Sequence, residues 1–251
     1  MRVNTASLFE RLLPLFDAGI VCDVGSMDGT EALRFARRLP HASVFAFEPN
    51  PWNLAPMRAN LDLQRARVEI VPCAVADRET RSPFHVLRAD YANTGPQRGR
   101  SSLYPAVVAS ELLEVIEVPT VRLDAFLATR TAPQARIALW IDAEGMAYET
   151  LAGASALAAR LQLVHVEVER VPCMNAAQKL YPDVRRLLAT FGLREIASDG
   201  DSRHRQFNAL FVRDELTLSL RLRIAAWTAI ESLSFLFHGA LRRLRIAARP
   251  N

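Results

Sequence analysis

The sequence predicts a doubly wound α/β fold: a mostly parallel seven-stranded sheet with helices on both faces, followed by a C-terminal helical extension. Three observations carry this. Apolar runs of strand length alternate with segments of helical periodicity over residues 20–72, and the same rhythm returns over residues 136–213. The strand runs are apolar without a break, which marks strands covered on both faces. The final two strand runs lie only about ten residues apart, which suits an antiparallel pair at one sheet edge.

Each element has its own warrant. Ser7-Leu8-Phe9-Glu10 reads as a capping box opening a helix that Gly19 ends. Ile20–Val24 is the first strand, broken by Gly25. Thr30–Leu39 carries Ala32, Leu33, Phe35, Ala36 and Leu39 at helical spacing. Ser43–Phe47 is the second strand, stopped by Glu48-Pro49-Asn50-Pro51. Asn53–Leu63 reads as a helix with Pro56 in its first turn, and Val68–Pro72 as the third strand.

Residues 78–120 break the rhythm. They carry Gly95, Pro96, Gly99, Pro105 and Pro119, with short alternating runs near Arg81–Val86 and Val115–Val121, and read as an irregular insertion placed to cover a site. Arg136–Ile141 is then a strand ending at Asp142, Tyr148–Arg160 a helix, and Leu161–Val168 a strand. Ala177–Thr190 is a helix closed by Gly192. Leu193–Ala197 and Asn208–Val212 are the closing pair. The expected division is an N-terminal helix over 1–17, one α/β domain over 18–213 with its insertion, and a helical tail over 214–251.

Composition narrows the function classes. Of 251 residues, 50% are hydrophobic and 23% charged, which excludes a disordered chain, a collagen and a coiled-coil rod. Thirty of the 31 basic residues are arginine, Lys179 being the exception, which reads as the codon preference of the source. The body, 1–213, is nearly neutral. The tail sets six arginines against Asp214, Glu215 and Glu231. A nucleic-acid partner is not expected, because its basic stripe would lie on the folded body. Cys22, Cys73 and Cys173 are too few and too widely spaced for a disulfide framework or a zinc site. Glu10, Arg11, Pro14 and Asp17 interrupt any apolar leader, so a cytoplasmic protein is expected, with membrane contact through the tail left open.

The chemistry concentrates where strands end. Asp23-Val24-Gly25-Ser26-Met27-Asp28-Gly29 closes the first strand, and a glycine there lets the backbone turn tightly. A dinucleotide fingerprint starting at Gly25 would need glycines at 27 and 30, where the chain has Met27 and Thr30. A ligand without pyrophosphate fits the spacing better. Glu48, at the end of the second strand, has two readings: it accepts both hydroxyls of a ribose, or it caps the helix that follows. Asp142 and Glu144 close the fourth strand and Glu167 the fifth. A metal reading of Asp142-x-Glu144 lacks a further ligand cluster in the sequence, so no metal site is expected. His165, inside an apolar strand, reads as a core residue.

These motifs resemble a known family. Val21-Cys22-Asp23-Val24-Gly25-Ser26-Met27-Asp28-Gly29-Thr30, then Phe45-Ala46-Phe47-Glu48-Pro49-Asn50-Pro51 with Asn60, look like the opening of FkbM-type S-adenosylmethionine-dependent methyltransferases. Ser101-Ser102-Leu103, Val118–Leu127, Trp140-Ile141-Asp142-Ala143-Glu144-Gly145 and Leu151-Ala152-Gly153-Ala154 resemble later motifs of that family, in order. The likeness covers roughly residues 18–213.

It implies a class I, Rossmann-like methyltransferase domain and S-adenosylmethionine as cofactor. Asp23, Gly25, Ser26 and Gly29 would hold the methionine part, Glu48 the ribose, with Asn50 in the same pocket. Ala74, Val75 and Asp77 would border the adenine. Asp142 and Glu144 would face the reacting methyl; a base for an acceptor hydroxyl would come from Asp142, Glu144 or Glu167, the last, at the end of the fifth strand, being open to a site role or a surface role. The acceptor class implied is a hydroxyl on a sugar, a glycolipid or a secondary metabolite. Two departures from the family pattern, Trp140 and Ala147, fall where the acceptor pocket is expected. They keep a second reading open: a catalytically silent member that binds cofactor or partner. For the tail two uses are open, packing on the sheet or on a second subunit, and attachment to an anionic membrane surface.

Overall fold

The computed structural model describes residues 2–88, 99–105, 108–174 and 176–247, with the side chains of the last helix described to Phe235 and at Phe237. In chain order the elements are α1 (Thr5–Phe16), β1 (Ile20–Val24), α2 (Thr30–Arg38), β2 (Ser43–Phe47), α3 (Pro51–Ala59), α4 (Leu61–Arg65) and β3 (Glu69–Val71). Then come β4 (Ala74–Val75), β5 (Thr80–Leu87), β6 (Leu112–Val121), α5 (Leu123–Ala128), β7 (Ile137–Ile141), α6 (Ala147–Ala152) and β8 (Leu161–Glu169). The chain closes with α7 (Tyr181–Thr190), β9 (Leu193–Ser198), β10 (Gln206–Arg213) and α8 (Leu218–Ala247).

The main sheet has seven strands in the order β3-β2-β1-β7-β8-β10-β9. Its first five strands are parallel, and β10 runs antiparallel to both β8 and β9, as the short spacing of the last two strands predicts. Strand β1 winds outward through β2 to β3, and β7 starts the other half on its opposite side. The topological switch point therefore lies between β1 and β7, where open α/β sheets bind ligands beyond their carboxyl ends. Every residue of β1 and of β7 is buried. Alternate residues feed two cores, one on each face: Cys22, Leu139 and Ile141 on one, Val21, Ala138 and Trp140 on the other.

Several boundaries differ from the sequence reading, each for a local reason. Helix α1 starts before Ser7, because the Asn4 side chain accepts the Ser7 amide and caps the helix, and Asp17 in the left-handed region ends it. The helix expected over 53–63 is two: Asn60 turns extended and its side chain caps α4 through the amides of Asp62 and Leu63. Pro56 lies within α3 rather than in its first turn, with Pro51 occupying that place. The helix expected over 148–160 breaks at Gly153, where an added Cβ would stand 2.1 Å from the carbonyl oxygen of Ala76; residues 155–160 continue as a 3-10 turn. Helix α7 begins at Tyr181 rather than Ala177, with Pro182 in its first turn and Asp183 accepting the Leu180 amide.

The segment 78–120 is not irregular throughout. Strands β5 and β6 form an antiparallel ladder that β4 extends, giving a second, three-stranded sheet. Phe84, Val86 and Val118 turn inward with Ala74 to form a small core of their own. Pro83 and Pro119 inside the strands hide this ladder from a reading by composition. Gly95 and Pro96 of this segment lie outside the described residues.

Candidate active site

The loop after β1 is tied down from several sides. Asp23, almost fully buried, accepts the Ser26 hydroxyl at 2.6 Å and the Ala32 amide at 3.1 Å through Oδ2, joining the loop to the first turn of α2. Burial pushes its carboxyl up to about 7. The amides of Gly25 and Ser26 both donate to the Phe47 carbonyl, at 3.1 and 3.0 Å, and the Met27 amide donates to Glu48 at 2.8 Å. The loop's first amides are thus committed to β2 rather than aimed into open space. Gly25 and Gly29 both hold positive φ, at 83° and 81°.

Glu48 serves the polypeptide on two sides. Its Oε2 accepts from Met27, and its Oε1 accepts the Asn50 amide at 2.7 Å. Burial, its largest influence, raises its carboxyl to about 7. Asn50, not Glu48, caps α3, accepting the Trp52 amide at 3.1 Å. The helix-capping reading of Glu48 therefore passes to its neighbour. A carboxylate offers about four acceptor positions; the Met27 and Asn50 amides and the Asn53 side chain take three, which leaves room for one hydroxyl.

A cleft of about 530 Å³, open solvent at its mouth included, lies along this switch point. Gly25, Glu48, Ala74, Val75, Asp142 and Glu144 line it. Asp23, Ser26, Gly29, Asn50, Asp77 and Glu167 do not reach its wall; the first three shape the loop, and Asn50 shapes the turn beneath Glu48. Asp77 lies outward, its carboxylate beside Arg78 and its carbonyl held by Arg122. The sequence reading passed over Met27, Phe84 and Met146, which also line the cleft. Phe84 carried a signal, an aromatic in an alternating run, but only the second sheet turns it toward the site.

The insertion forms the far wall through Gly99, Ser101, Ser102 and Leu103. Ser102 donates its hydroxyl to the Glu144 carbonyl at 2.7 Å, latching the wall to the loop after β7. In that loop Glu144 itself holds a φ of 37° and Gly145 one of 86°. A non-glycine residue in this region stores strain of about 1–3 kcal/mol, which is common at functional sites. A wider cleft lies beyond, lined by His85, Arg100, Tyr104, Glu111, Arg205 and Gln206, and it shares Ser102 and Glu144 with the first.

Asp142, Glu144 and Glu167 each bring a carboxylate oxygen to within 4.8 Å of the others. Strand β8 runs past Glu167 to Glu169, which is also buried. Burial is the first cause of raised pKa at all four. It lifts Glu144 and Glu169 to about 7, with neighbouring carboxylates adding to the effect. Glu167 is pushed up to about 10, burial first and then the charges of Asp142, Glu144 and Glu169. Asp142 is raised as well, opposed by a hydrogen bond from Glu167. Asp142 and Glu167 are hydrogen-bonded to each other and titrate as a pair, which burial holds protonated above the ordinary carboxylate range. Gln206 donates to Glu167 at 2.6 Å from the antiparallel neighbour strand. Such a group can take a proton, hold one, or gather a cation.

Two expectations are corrected here. Trp140 lines neither cleft. It is buried against Phe9 and Phe35 and stacks on His165 with ring centroids 3.6 Å apart. Ala147 is buried in the opposite core. His165 is a core residue as read, its Nε2 3.1 Å from the Thr5 hydroxyl and its pKa pushed down to about 3 by burial.

The residues present fit S-adenosylmethionine. Glu48 is buried, lines the cleft and keeps acceptor capacity. The Nδ2 of Asn50, close by and fully buried, has no protein partner among the described residues.

The chain is 28% identical over 153 residues to the 2-O-methyltransferase NoeI of Sinorhizobium fredii (strain NBRC 101917 / NGR234), a match covering 59% of this chain and 62% of that protein. Solved structures similar to it include the precorrin-6y C5,15-methyltransferase of Geobacter metallireducens GS-15, at 14% identity and a TM-score of 0.44, covering 84% of this chain and 89% of that one. Another is the magnesium protoporphyrin IX methyltransferase of Synechocystis PCC 6803 with bound SAM, at 12% identity and 0.43, covering 83% and 78%. The family model described as the methyltransferase FkbM domain matches residues 23–195, well over half of the chain, and with it the chain belongs to the FkbM methyltransferase family.

Proposed function

We propose that the chain is an S-adenosylmethionine-dependent O-methyltransferase acting on a hydroxyl of a sugar, a glycolipid or another small molecule. The observation that carries this is the meeting of two clefts at Glu144. The first offers Glu48 for a ribose. The second, lined by Arg100, Tyr104, Arg205 and Gln206, presents the planar polar and aromatic side chains that suit a polyhydroxylated acceptor. The 2-O-methyltransferase name of the relative supports the oxygen acceptor. The burial of Trp140 and Ala147 away from both clefts removes the reason for the catalytically silent reading.

When bound, S-adenosylmethionine supplies an activated methyl group. The chain's part is to hold the acceptor hydroxyl in line with it, which is worth several kcal/mol on general grounds. Glu144 stands at the junction and Asp142 in the first cleft beside it, and an ionised carboxylate there can accept the hydroxyl proton. Ser102 fixes the Glu144 backbone from the opposite wall.

The test has two parts. Calorimetry should show S-adenosylmethionine and S-adenosylhomocysteine binding and NAD(P)H not binding. Incubation with methyl-labelled cofactor and a panel of sugars should then place label on an oxygen. Binding of NAD(P)H in preference would reject the cofactor, and label on nitrogen or carbon alone would reject the acceptor class.

A further inference from the structure

Helix α8 runs 30 residues from Leu218 to Ala247 and rests on α1 by one side. Ile224, Thr228 and Glu231 are buried on that side, and Arg11 of α1 stacks over Trp227, 4.8 Å from its ring. At about 100° per residue, Leu218, Leu222, Ala226, Ala229 and Leu233 fall on the opposite side. Leu222 is 62% exposed and Leu233 69%. Ile230 continues the stripe, and Arg221 and Arg223 border it on either edge.

The charge is sorted by face. From Leu216 to the end of the chain there are six arginines and one acid, Glu231. That acid points inward: it accepts from Arg11 at 2.6 Å and from the Ser7 hydroxyl at 2.8 Å. The outer side of α8 is left with an apolar stripe, cationic borders and no acid in its described length. Four further arginines follow in the sequence at 242, 243, 245 and 249. Among the described residues no helix is long and apolar enough to cross a membrane.

We propose that this outer face of α8 docks the protein on an anionic lipid bilayer, lying in the plane of the interface. Apolar side chains on one side and arginines at the borders are the arrangement that places a helix at the headgroup boundary. Arginines near an anionic leaflet add attraction that salt screens. A second copy of the chain fits less well, because its own Arg221 and Arg223 would return to the same border with no acid to answer them. The proposal stands independently of the methyl-transfer reading.

Flotation of the full chain decides it. The chain should float with vesicles of phosphatidylcholine and phosphatidylglycerol at low salt, should stay down with phosphatidylcholine alone, and should be largely released by high salt. The full chain carrying Leu222→Glu and Leu233→Glu should lose about tenfold or more of the floating fraction with an unchanged melting temperature. If that variant melts early, Arg221→Gln with Arg223→Gln serves in its place and should weaken flotation on anionic vesicles. The proposal is overturned if the unaltered chain stays down with anionic vesicles. It is equally overturned if flotation ignores lipid charge, or if a folded variant floats like the unaltered chain. A dimer in light scattering that the leucine variant turns to monomer, with no vesicle binding, would assign the face to a second copy instead.

Discussion

Gly25 and Asp142 touch through their backbones: a Cβ built on Gly25 would stand 1.9 Å from the carbonyl oxygen of Asp142. The amide of Asp142 in turn donates to the Val24 carbonyl at 2.9 Å. The ends of β1 and β7 can close the switch point only because residue 25 has no side chain. Its φ of 83° makes the same demand.

Gly25→Val should therefore damage the fold and the site together. Overpacking of this kind costs about 1–3 kcal/mol. In a chain of this size each kcal/mol lowers Tm by about 2–4 °C. Thermal melts and calorimetry with S-adenosylhomocysteine should both show the loss. Lost binding at an unchanged Tm would mean that residue 25 meets only the ligand.

Glu48→Ala should lower Tm, because it strands the amides of Met27 and Asn50 in a buried turn, at about 1–3 kcal/mol for an unsatisfied group. Glu48→Gln keeps one acceptor and should melt closer to the unaltered chain while binding cofactor about tenfold more weakly, as a lost bond of about 1.4 kcal/mol implies. Equal affinity of the Gln variant and the unaltered chain would remove Glu48 from the ribose site.

Asp142→Asn should slow methyl transfer more than it weakens cofactor binding. It keeps the shape and removes the charge that a hydroxyl proton would seek, and general-base assistance is typically worth about 10²–10⁴-fold. Comparing kcat with the calorimetric Kd measures the split. Equal loss in both would assign Asp142 to binding or to structure.

The carboxylate group sets a pH dependence of stability whose sign is fixed. Glu144 and Glu167 have folded-state pKa values of about 7 and about 10, above the ordinary 4.5. Their contribution is therefore fully present below about pH 4.5 and is lost as pH rises through 7 and on toward 10. Glu167→Gln should raise Tm at pH 8 and flatten its fall between pH 6 and 9. An unchanged slope would show that these carboxyls do not titrate against one another.

The strands were legible because their cause is local. Ile20–Val24 and Ile137–Ile141 are apolar without interruption, and such runs have no stable place except between two covered faces. The loop Asp23–Gly29 and the acid Glu48 were legible for a related reason, since a parallel strand must end in a turn and ligands gather at those turns. Helix boundaries were less so. Asn4 displaced Ser7 as the cap of α1, and Asn60 divided α3 from α4, through single hydrogen bonds that compete within a residue or two.

By itself the sequence determined the doubly wound order, the family motifs and which carboxylates stand at strand ends. The tertiary structure decided which of them meet. Asp142 and Glu167 lie 25 positions apart in the sequence, yet the parallel pairing of β7 with β8 brings their oxygens within 4.8 Å. The β7–β8 register set Trp140 opposite His165, so that the two rings stack inside the core. The second sheet turned Phe84 and Ser102 toward the cleft, and the packing of α8 on α1 turned Glu231 inward. Periodicity says that a residue has a face. Only the register between strands and the rotation of packed helices say what that face meets, because both are set by contacts between segments far apart in the chain.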